Sequence, residues 1–267
     1  MMTAYLFDVD GVLTDPVYKR TEPALLDQLI QILSRGDPVA FNTGRGLEWV
    51  EKQILADLLQ KLTDKTLLQR LILIGEKGET WLFFDAEGKV HKRTTEGLAM
   101  PEALQQQFKH ILETKYHDAM FFDETKTVMV TAEMHDGYDL DRFQGKKHRF
   151  IEEVKQLLQA CDPEKKYKLH FDEISVSIEH KHVGKALGAQ RFLTFLAELQ
   201  MTPDTYYCFG DTESDFDMAD YLAAKGKKVY FVYTGKKNNI EINEKSYPII
   251  FETGYSLGTL AYLERMN

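Results

Sequence analysis

Tyr5-Leu6-Phe7-Asp8-Val9-Asp10-Gly11-Val12 opens the chain with a short apolar run that ends in two carboxylates and a glycine. Tyr5 to Phe7 reads as a short apolar strand that runs into Asp8-Val9-Asp10-Gly11. Asp8 and Asp10 stand at i and i+2, so in extended backbone their side chains point to one side. Taken alone, Asp-Val-Asp-Gly also fits an ordinary turn, because Asp and Gly are common turn formers. A calcium loop does not fit, since the glycine comes too early and no glutamate closes a twelve-residue loop.

Outward from this stretch, strands alternate with helices. Leu25, Leu26, Leu29, Ile30 and Leu33 fall at helical spacing with Gly36 as the stop. A second strand, Pro38 to Phe41, ends in the polar turn Asn42-Thr43-Gly44-Arg45-Gly46. A helix is predicted over Leu47 to Leu62, and a third strand at Leu71 to Ile74. The rhythm then changes. Thr80 to Phe84 and Lys89 to Arg93 flank Asp85-Ala86-Glu87-Gly88 as a hairpin. A helix from Pro101 to about Thr114 follows, with strands at Ala119 to Phe122 and Thr127 to Glu133, a helix ending near Ala160, and strands at Lys168 to Phe171 and Ile174 to Ile178. From Gly184 the alternation resumes with a helix to Gln200, a strand Tyr206 to Phe209, the turn Gly210-Asp211-Thr212-Glu213-Ser214-Asp215, a helix, and a strand Val229 to Tyr233. Alternation implies a parallel sheet with crossover connections, here split by an inserted α+β segment. Lys236-Lys237-Asn238-Asn239 reads as a surface loop.

The chain's 267 residues are enough for two domains. The 42 acidic residues exceed the 33 basic ones, and the net charge of -9 opposes binding to a nucleic-acid backbone. No run approaches the ~18 apolar residues of a membrane span, and the amino terminus lacks a basic flank before an apolar stretch. A soluble cytoplasmic protein is expected, without nucleic-acid or membrane partners. The two cysteines, Cys161 and Cys208, lack metal or redox spacing, and Cys208 reads as a packed core residue.

Three polar sites follow strands of the same expected sheet: Asp8 with Asp10, Thr43, and Asp211 with Asp215. Ligands bind beyond the carboxyl ends of strands in open α/β sheets, so these distant segments are expected to converge. Two carboxylates ~4 Å apart repel by about 4 kcal/mol at an effective dielectric near 20, which calls for a cation. All-oxygen ligands without a His or Cys pair suit a hard ion such as Mg²⁺.

In their joint order, Asp8-Val9-Asp10-Gly11-Val12, Phe41-Asn42-Thr43-Gly44-Arg45, Lys185 and Gly210-Asp211-Thr212-Glu213-Ser214-Asp215 resemble the four motifs of the haloacid dehalogenase superfamily. The insertion of ~100 residues after the second motif looks like the C2B cap of Cof-like, sucrose-phosphate and trehalose-phosphate phosphatases. Gly75-Glu76-Lys77-Gly78-Glu79 resembles the turn before this cap, with Lys77 where asparagine is usual, and Val12 replaces the commoner threonine. The resemblance implies an α/β fold: a Rossmann-like parallel-sheet core, residues 1–83 and 181–267, with an inserted α+β cap domain, residues 84–180. It assigns Asp8 as nucleophile, Asp10 as acid and base, and Asp8, Asp211 and the main-chain carbonyl of Asp10 as Mg²⁺ ligands, with Asp215 acting from behind them. Thr43 would hydrogen-bond the transferring phosphoryl group and Lys185 would neutralise its charge.

The implied activity is Mg²⁺-dependent hydrolysis of small phosphorylated metabolites, sugar phosphates among them, through an aspartyl phosphate. His180 and Lys181, where the chain returns to the core, are candidates for contacts to the substrate. Lys146-Lys147-His148-Arg149 reads as a solvated helix face, and Arg45 and Ser214 could support the phosphate site or cap local backbone, the second being preferred. A phosphomutase is the alternative enzyme, but the familiar sugar phosphomutases of the superfamily carry their large cap between the first two motifs. A non-catalytic sugar-phosphate sensor is the alternative from another class, and it would not need both Asp8 and Asp10. A dehalogenase would need neither Asp10 nor the metal-binding carboxylates.

Overall fold

The computed structural model describes residues 1–236 and 244–266. Within it, the opening strand β1 (Thr3–Phe7) sits inside an eight-stranded sheet. On one side it pairs in parallel with β2 (Val39–Asn42), and β2 pairs with β3 (Leu71–Gly75). On the other side it pairs in parallel with β10 (Thr205–Gly210), followed by β11 (Val229–Tyr233) and β12 (Ile249–Phe251). The chain therefore winds outward from β1 in one direction and later in the other. The carboxyl end of β1 is the switch point of the sheet, where ligands of such folds bind.

Alternate residues of β1 enter different cores. Tyr5 and Phe7 join a cluster with Leu25, Leu29 and Ile32 of α1 (Pro23–Ser34), while Ala4 and Leu6 join one with Phe192 and Leu196 of α6 (Lys185–Glu198). A continuous apolar strand is what burial on both faces requires. Leu263 of α8 (Ser256–Met266) belongs to the first cluster, and Phe216 and Leu222 of α7 (Phe216–Ala224) to the second. The helix expected over 47–62 is observed as α2 (Leu47–Val50), a π-turn at Glu51–Leu55 and α3 (Ala56–Lys61). The strand β12 and helix α8 were not anticipated from the sequence.

Two compact units divide at 94/95 and 183/184, rather than at the expected 83/84 and 180/181. The first shift arises because the hairpin β4 (Thr80–Phe84) and β5 (Val90–Thr94) extends the large sheet antiparallel from β3. The second arises because Lys181 N donates to Lys166 O at 2.8 Å and Lys168 Nζ to Val183 O at 3.2 Å. Lys237 to Asn239 of the expected surface loop lie outside the described residues.

The unit Thr95–Val183 is α+β. Its antiparallel sheet runs β6 (Met120–Phe122), β7 (Val130–Met134), β9 (Ser175–His180), β8 (Tyr167–Phe171). Helices α4 (Glu102–Lys115) and α5 (Leu140–Cys161) supply its core with Leu104, Phe108, Phe150 and Val154 against Val130, Ala132, Val176 and Ile178. Phe108 packs edge-on to Phe150 at 5.2 Å and to Phe122 at 6.2 Å. Its truncation removes the centre of that core, so Phe108→Ala is expected to cost about 3–5 kcal/mol. Hydrogen exchange should show the loss across 95–183, and uniform loss of protection in both units would contradict a separate core.

Candidate active site

Each segment that reaches the switch point is placed by its strand. Asp8 follows β1, Thr43 follows β2, and Asp211 follows β10. The carboxylates of Asp8, Asp211 and Asp215 offer oxygens within 4.8 Å of one another. Gly11 has φ +74°, and a Cβ there would lie 2.3 Å from an Asp211 oxygen. Only glycine accepts both that backbone region and that approach.

Lys185 opens α6 behind Gly184, yet it is 6% exposed and does not face solvent. A lysine is electrostatically misplaced at a helix amino terminus, so its position reflects partners outside the helix. Its Nζ bonds an Asp8 oxygen, lies 3.0 Å from Asp215 Oδ1, and donates to the Asn42 carbonyl at 2.6 Å. Asn42 Nδ2 in turn donates to the Lys185 carbonyl at 2.9 Å. A Cβ at Gly188, one turn into the helix, would lie 2.0 Å from Asn42 Oδ1. Asn42 and Gly188 together seat the lysine, and neither was singled out from the sequence. The available signal was a polar residue closing an otherwise apolar strand.

Asp215 is fully buried, and its Oδ2 accepts from Asp211 N at 3.2 Å, Thr212 N at 3.0 Å and Thr212 Oγ1 at 2.8 Å. It shapes the turn that presents Asp211, while Oδ1 meets Lys185 as a close ion pair rather than an aligned hydrogen bond. Ser214 Oγ lies 3.0 Å from Thr212 Oγ1 within this turn.

Thr43 is buried, and its N donates to Ile74 O at 2.9 Å. Its Oγ1 accepts from Arg45 N at 3.1 Å, which leaves the hydroxyl proton for a ligand. A turn at Glu76, Lys77 and Gly78, with φ of 47°, 55° and 99°, braces this loop. Glu76 N donates to Arg45 O at 2.9 Å, Lys77 N to Thr43 O at 2.8 Å, and Gly184 N to Lys77 O at 3.1 Å. Non-glycine residues in this region cost of order 1–3 kcal/mol each and persist where their surroundings fix them. Lysine bears that cost less well than the asparagine usual in the resembled turn.

Asp10 is oriented differently from its neighbours. Arg45 Nε and Nη2 reach Asp10 Oδ2 and Oδ1, both at 3.0 Å, and Lys19 Nζ lies 3.1 Å from Oδ1. This corrects the reading of Arg45 as a local backbone cap. Burial would raise the Asp10 pKa, but Arg45 and Lys19 outweigh it and bring it down to about 2.

Burial, and then Asp215, push the Asp8 carboxyl well above the usual carboxylate range, and burial and Asp8 do the same to Asp211. Burial disfavours the Lys185 ammonium, but Asp215 and Asp8 more than compensate and raise its pKa. Asp8 and Lys185 move the same way because burial and Asp215 disfavour the Asp8 anion, while at Lys185 the two carboxylates outweigh burial, so one cation faces anions in excess. That excess, with an all-oxygen donor set, fits a hard divalent cation.

Of the remaining sequence candidates, His180 ends β9 with its ring edge-on to Tyr167 at 5.7 Å and 5.0 Å from His182, and Lys181 is exposed. In the basic run, Lys147 is buried and donates to Asp172 O at 2.5 Å, and Lys146 pairs with Asp118. Cys208 is buried, and burial pushes its thiol up, in keeping with a packed core residue. Among the described residues no helix is long and apolar enough to cross a membrane.

No protein-family model matches the chain, and no curated protein matches it. Solved structures do, and they show that the chain has the fold of haloacid dehalogenase-like hydrolases. Among them, a haloacid dehalogenase-like hydrolase from Bacteroides thetaiotaomicron is 14% identical over 100% of both chains, with TM-score 0.68. The C-terminal domain of Candida albicans trehalose-6-phosphate phosphatase is 18% identical over 99% of this chain and 91% of its own, with TM-score 0.71. Aspergillus fumigatus trehalose-6-phosphate phosphatase is 17% identical over 99% of this chain and 93% of its own, with TM-score 0.56.

The raised carboxyls have a consequence for stability. The unfolded chain releases their protons near pH ~4, whereas the metal-free folded protein holds them to higher pH. Between these limits the unfolded state binds fewer protons, so stability falls as pH rises. Melts in chelator are expected to give a lower Tm at about pH 8 than at about pH 6, with the slope reduced in Asp211→Asn. A Tm that rises over this interval would contradict the assigned direction.

Proposed function

We propose that the protein is a Mg²⁺-dependent phosphatase that hydrolyses small phosphate monoesters through an aspartyl phosphate on Asp8. The observation that carries this reading is the Asp8 carboxylate at the sheet's switch point, bonded by buried Lys185 and grouped with Asp211 and Asp215. The shared fold with hydrolases and trehalose-6-phosphate phosphatases supports the same class.

Asp8, Asp211 and the Asp10 carbonyl would hold Mg²⁺, with Asp215 fixing the Asp211 turn. Bound there, the ion would supply neutralisation of the phosphoryl oxygens and of the crowded carboxylates. The chain's own residues do the rest. An Asp8 oxygen attacks phosphorus as the bond to the leaving oxygen breaks, and Asp10, ionised in the resting protein, takes up the proton that the incoming monoester carries and passes it to that oxygen. Asp10 then takes a proton from the water that attacks the phosphoenzyme, which frees phosphate and restores the Asp8 carboxylate. Thr43 Oγ1 donates to the phosphoryl group, and Lys185 offsets its charge. The unit Thr95–Val183 corresponds to the expected cap, and His180 and Lys181 are its candidates for substrate contacts. A phosphorylated sugar or related polyol is the preferred substrate, in keeping with the trehalose-6-phosphate phosphatases of this fold.

Phosphate release from 4-nitrophenyl phosphate tests the reading. Turnover is expected to need Mg²⁺, and Asp8→Asn should lower kcat by about 10³-fold or more and trap no phosphoenzyme. Gly11→Ala, which displaces Asp211, should raise the Mg²⁺ concentration for half-maximal rate by about tenfold or more. Full turnover in excess chelator, or by Asp8→Asn, would sink the covalent metal-assisted route.

A further inference from the structure

We propose that Arg45 and Lys19 are positioning residues for Asp10, a role that rests on the phosphatase reading above. Both oxygens of the Asp10 carboxylate are engaged by cations, at 3.0 Å from Arg45 Nε, 3.0 Å from Arg45 Nη2 and 3.1 Å from Lys19 Nζ. The carboxylates that converge are those of Asp8, Asp211 and Asp215, so Asp10 is held to its own partners beside that group.

The hold is built on both sides. The Arg45 guanidinium lies over the Trp49 ring at 4.9 Å, one helical turn onward, which fixes the plane of its fork. Its own backbone N is tied to Thr43 Oγ1 at 3.1 Å, so the same loop sets Thr43 and Asp10. Lys19 sits at φ 55°, unusual for a residue with a side chain, in a loop closed on Asp15. Asp15 Oδ1 accepts from Val17 N and Tyr18 N, both at 2.8 Å, and Asp15 O accepts from Lys19 N at 2.9 Å. The apolar tip of this loop, Val17 and Tyr18, is exposed, so the loop is shaped by its polar bonds and not by core packing.

These contacts matter for an acid and base that must act twice. Asp10 passes the proton brought by the incoming monoester to the leaving oxygen while the Asp8–phosphorus bond forms and the ester bond breaks, and it takes a proton from water when water displaces Asp8 from phosphorus. A side chain on a loop, with one carboxylate already two residues away, needs a partner to stay within reach of the leaving oxygen in both steps. Arg45 provides a planar, two-point hold, and Lys19 a single flexible contact that yields first.

The alternative is that the ion pairs only tie two loops together, and a double-mutant cycle separates the two roles. Wild type, Asp10→Asn, Arg45→Met and the double variant are assayed on substituted phenyl phosphates spanning good and poor leaving groups. Arg45→Met is expected to lower kcat on phenyl phosphate by about 10–100-fold, with a much smaller loss on 4-nitrophenyl phosphate and KM nearly unchanged. In the Asp10→Asn background it should add almost nothing. Lys19→Met should show the same pattern more weakly, and Arg45→Lys should restore part of the loss. Equal losses on both substrates that persist in the Asp10→Asn background would overturn the proposal and place Arg45 on the phosphoryl group or in the loop scaffold. If Arg45→Met does not fold, Arg45→Lys and Lys19→Met carry the same comparison. If wild type releases no phosphate from any of these esters with Mg²⁺, the phosphatase reading fails instead.

Discussion

Lys185 Nζ meets an Asp8 oxygen, an Asp215 oxygen and the Asn42 carbonyl, so one buried ammonium joins the ends of β1, β2 and β10 to the start of α6. Removing an ammonium from water carries a penalty of several kcal/mol, repaid only where partners and hydrogen bonds are complete. That requirement constrains much around it. Gly188 must be small for Asn42 to reach the lysine, and α6 must begin where the lysine can turn inward. Asp215 must be buried with its second oxygen spent on the turn of Asp211.

The same cluster is where the fold tolerates local cost. Glu76, Lys77 and Gly78 adopt positive φ in succession, and their backbone bonds connect the Thr43 loop to the residue before Lys185. Carboxylates that would separate in solution are brought together at the end of a strand whose two faces are packed by different cores. Apolar burial of order 25 cal/mol per Å² across those cores outweighs the repulsion and strain concentrated at one sheet edge. A cation held at these carboxylates would relieve the repulsion.

The unit Thr95–Val183 has a separate logic. Its four-stranded sheet and two helices enclose a core of their own, and the basic run on α5 is partly consumed in fixing the turn at Asp172 and Glu173. Lys147 therefore acts in the architecture of the unit, where a solvated face was expected, because its long stem crosses the helix surface to reach the carbonyls of Asp172 and Glu173.

The alternation of elements and the split parallel sheet were legible in the sequence, and Asp8, Asp10, Thr43, Asp211 and Asp215 stood out there as polar residues after strands, whereas Lys185 was a candidate only through the resemblance. Periodicity and strand-end polar residues are local signals, readable without contacts. It did not show that the hairpin at Thr80–Thr94 belongs to the large sheet, because a hairpin's pattern is the same in either domain. It did not show that Arg45 and Lys19 meet on Asp10, since the three residues come from separate loops and no spacing links them. Nor did it mark Asn42 and Gly188, whose importance lies in a clearance between a strand end and a helix. Those features are decided by tertiary packing, because ion-pair geometry and steric clearance exist only once distant segments are brought together.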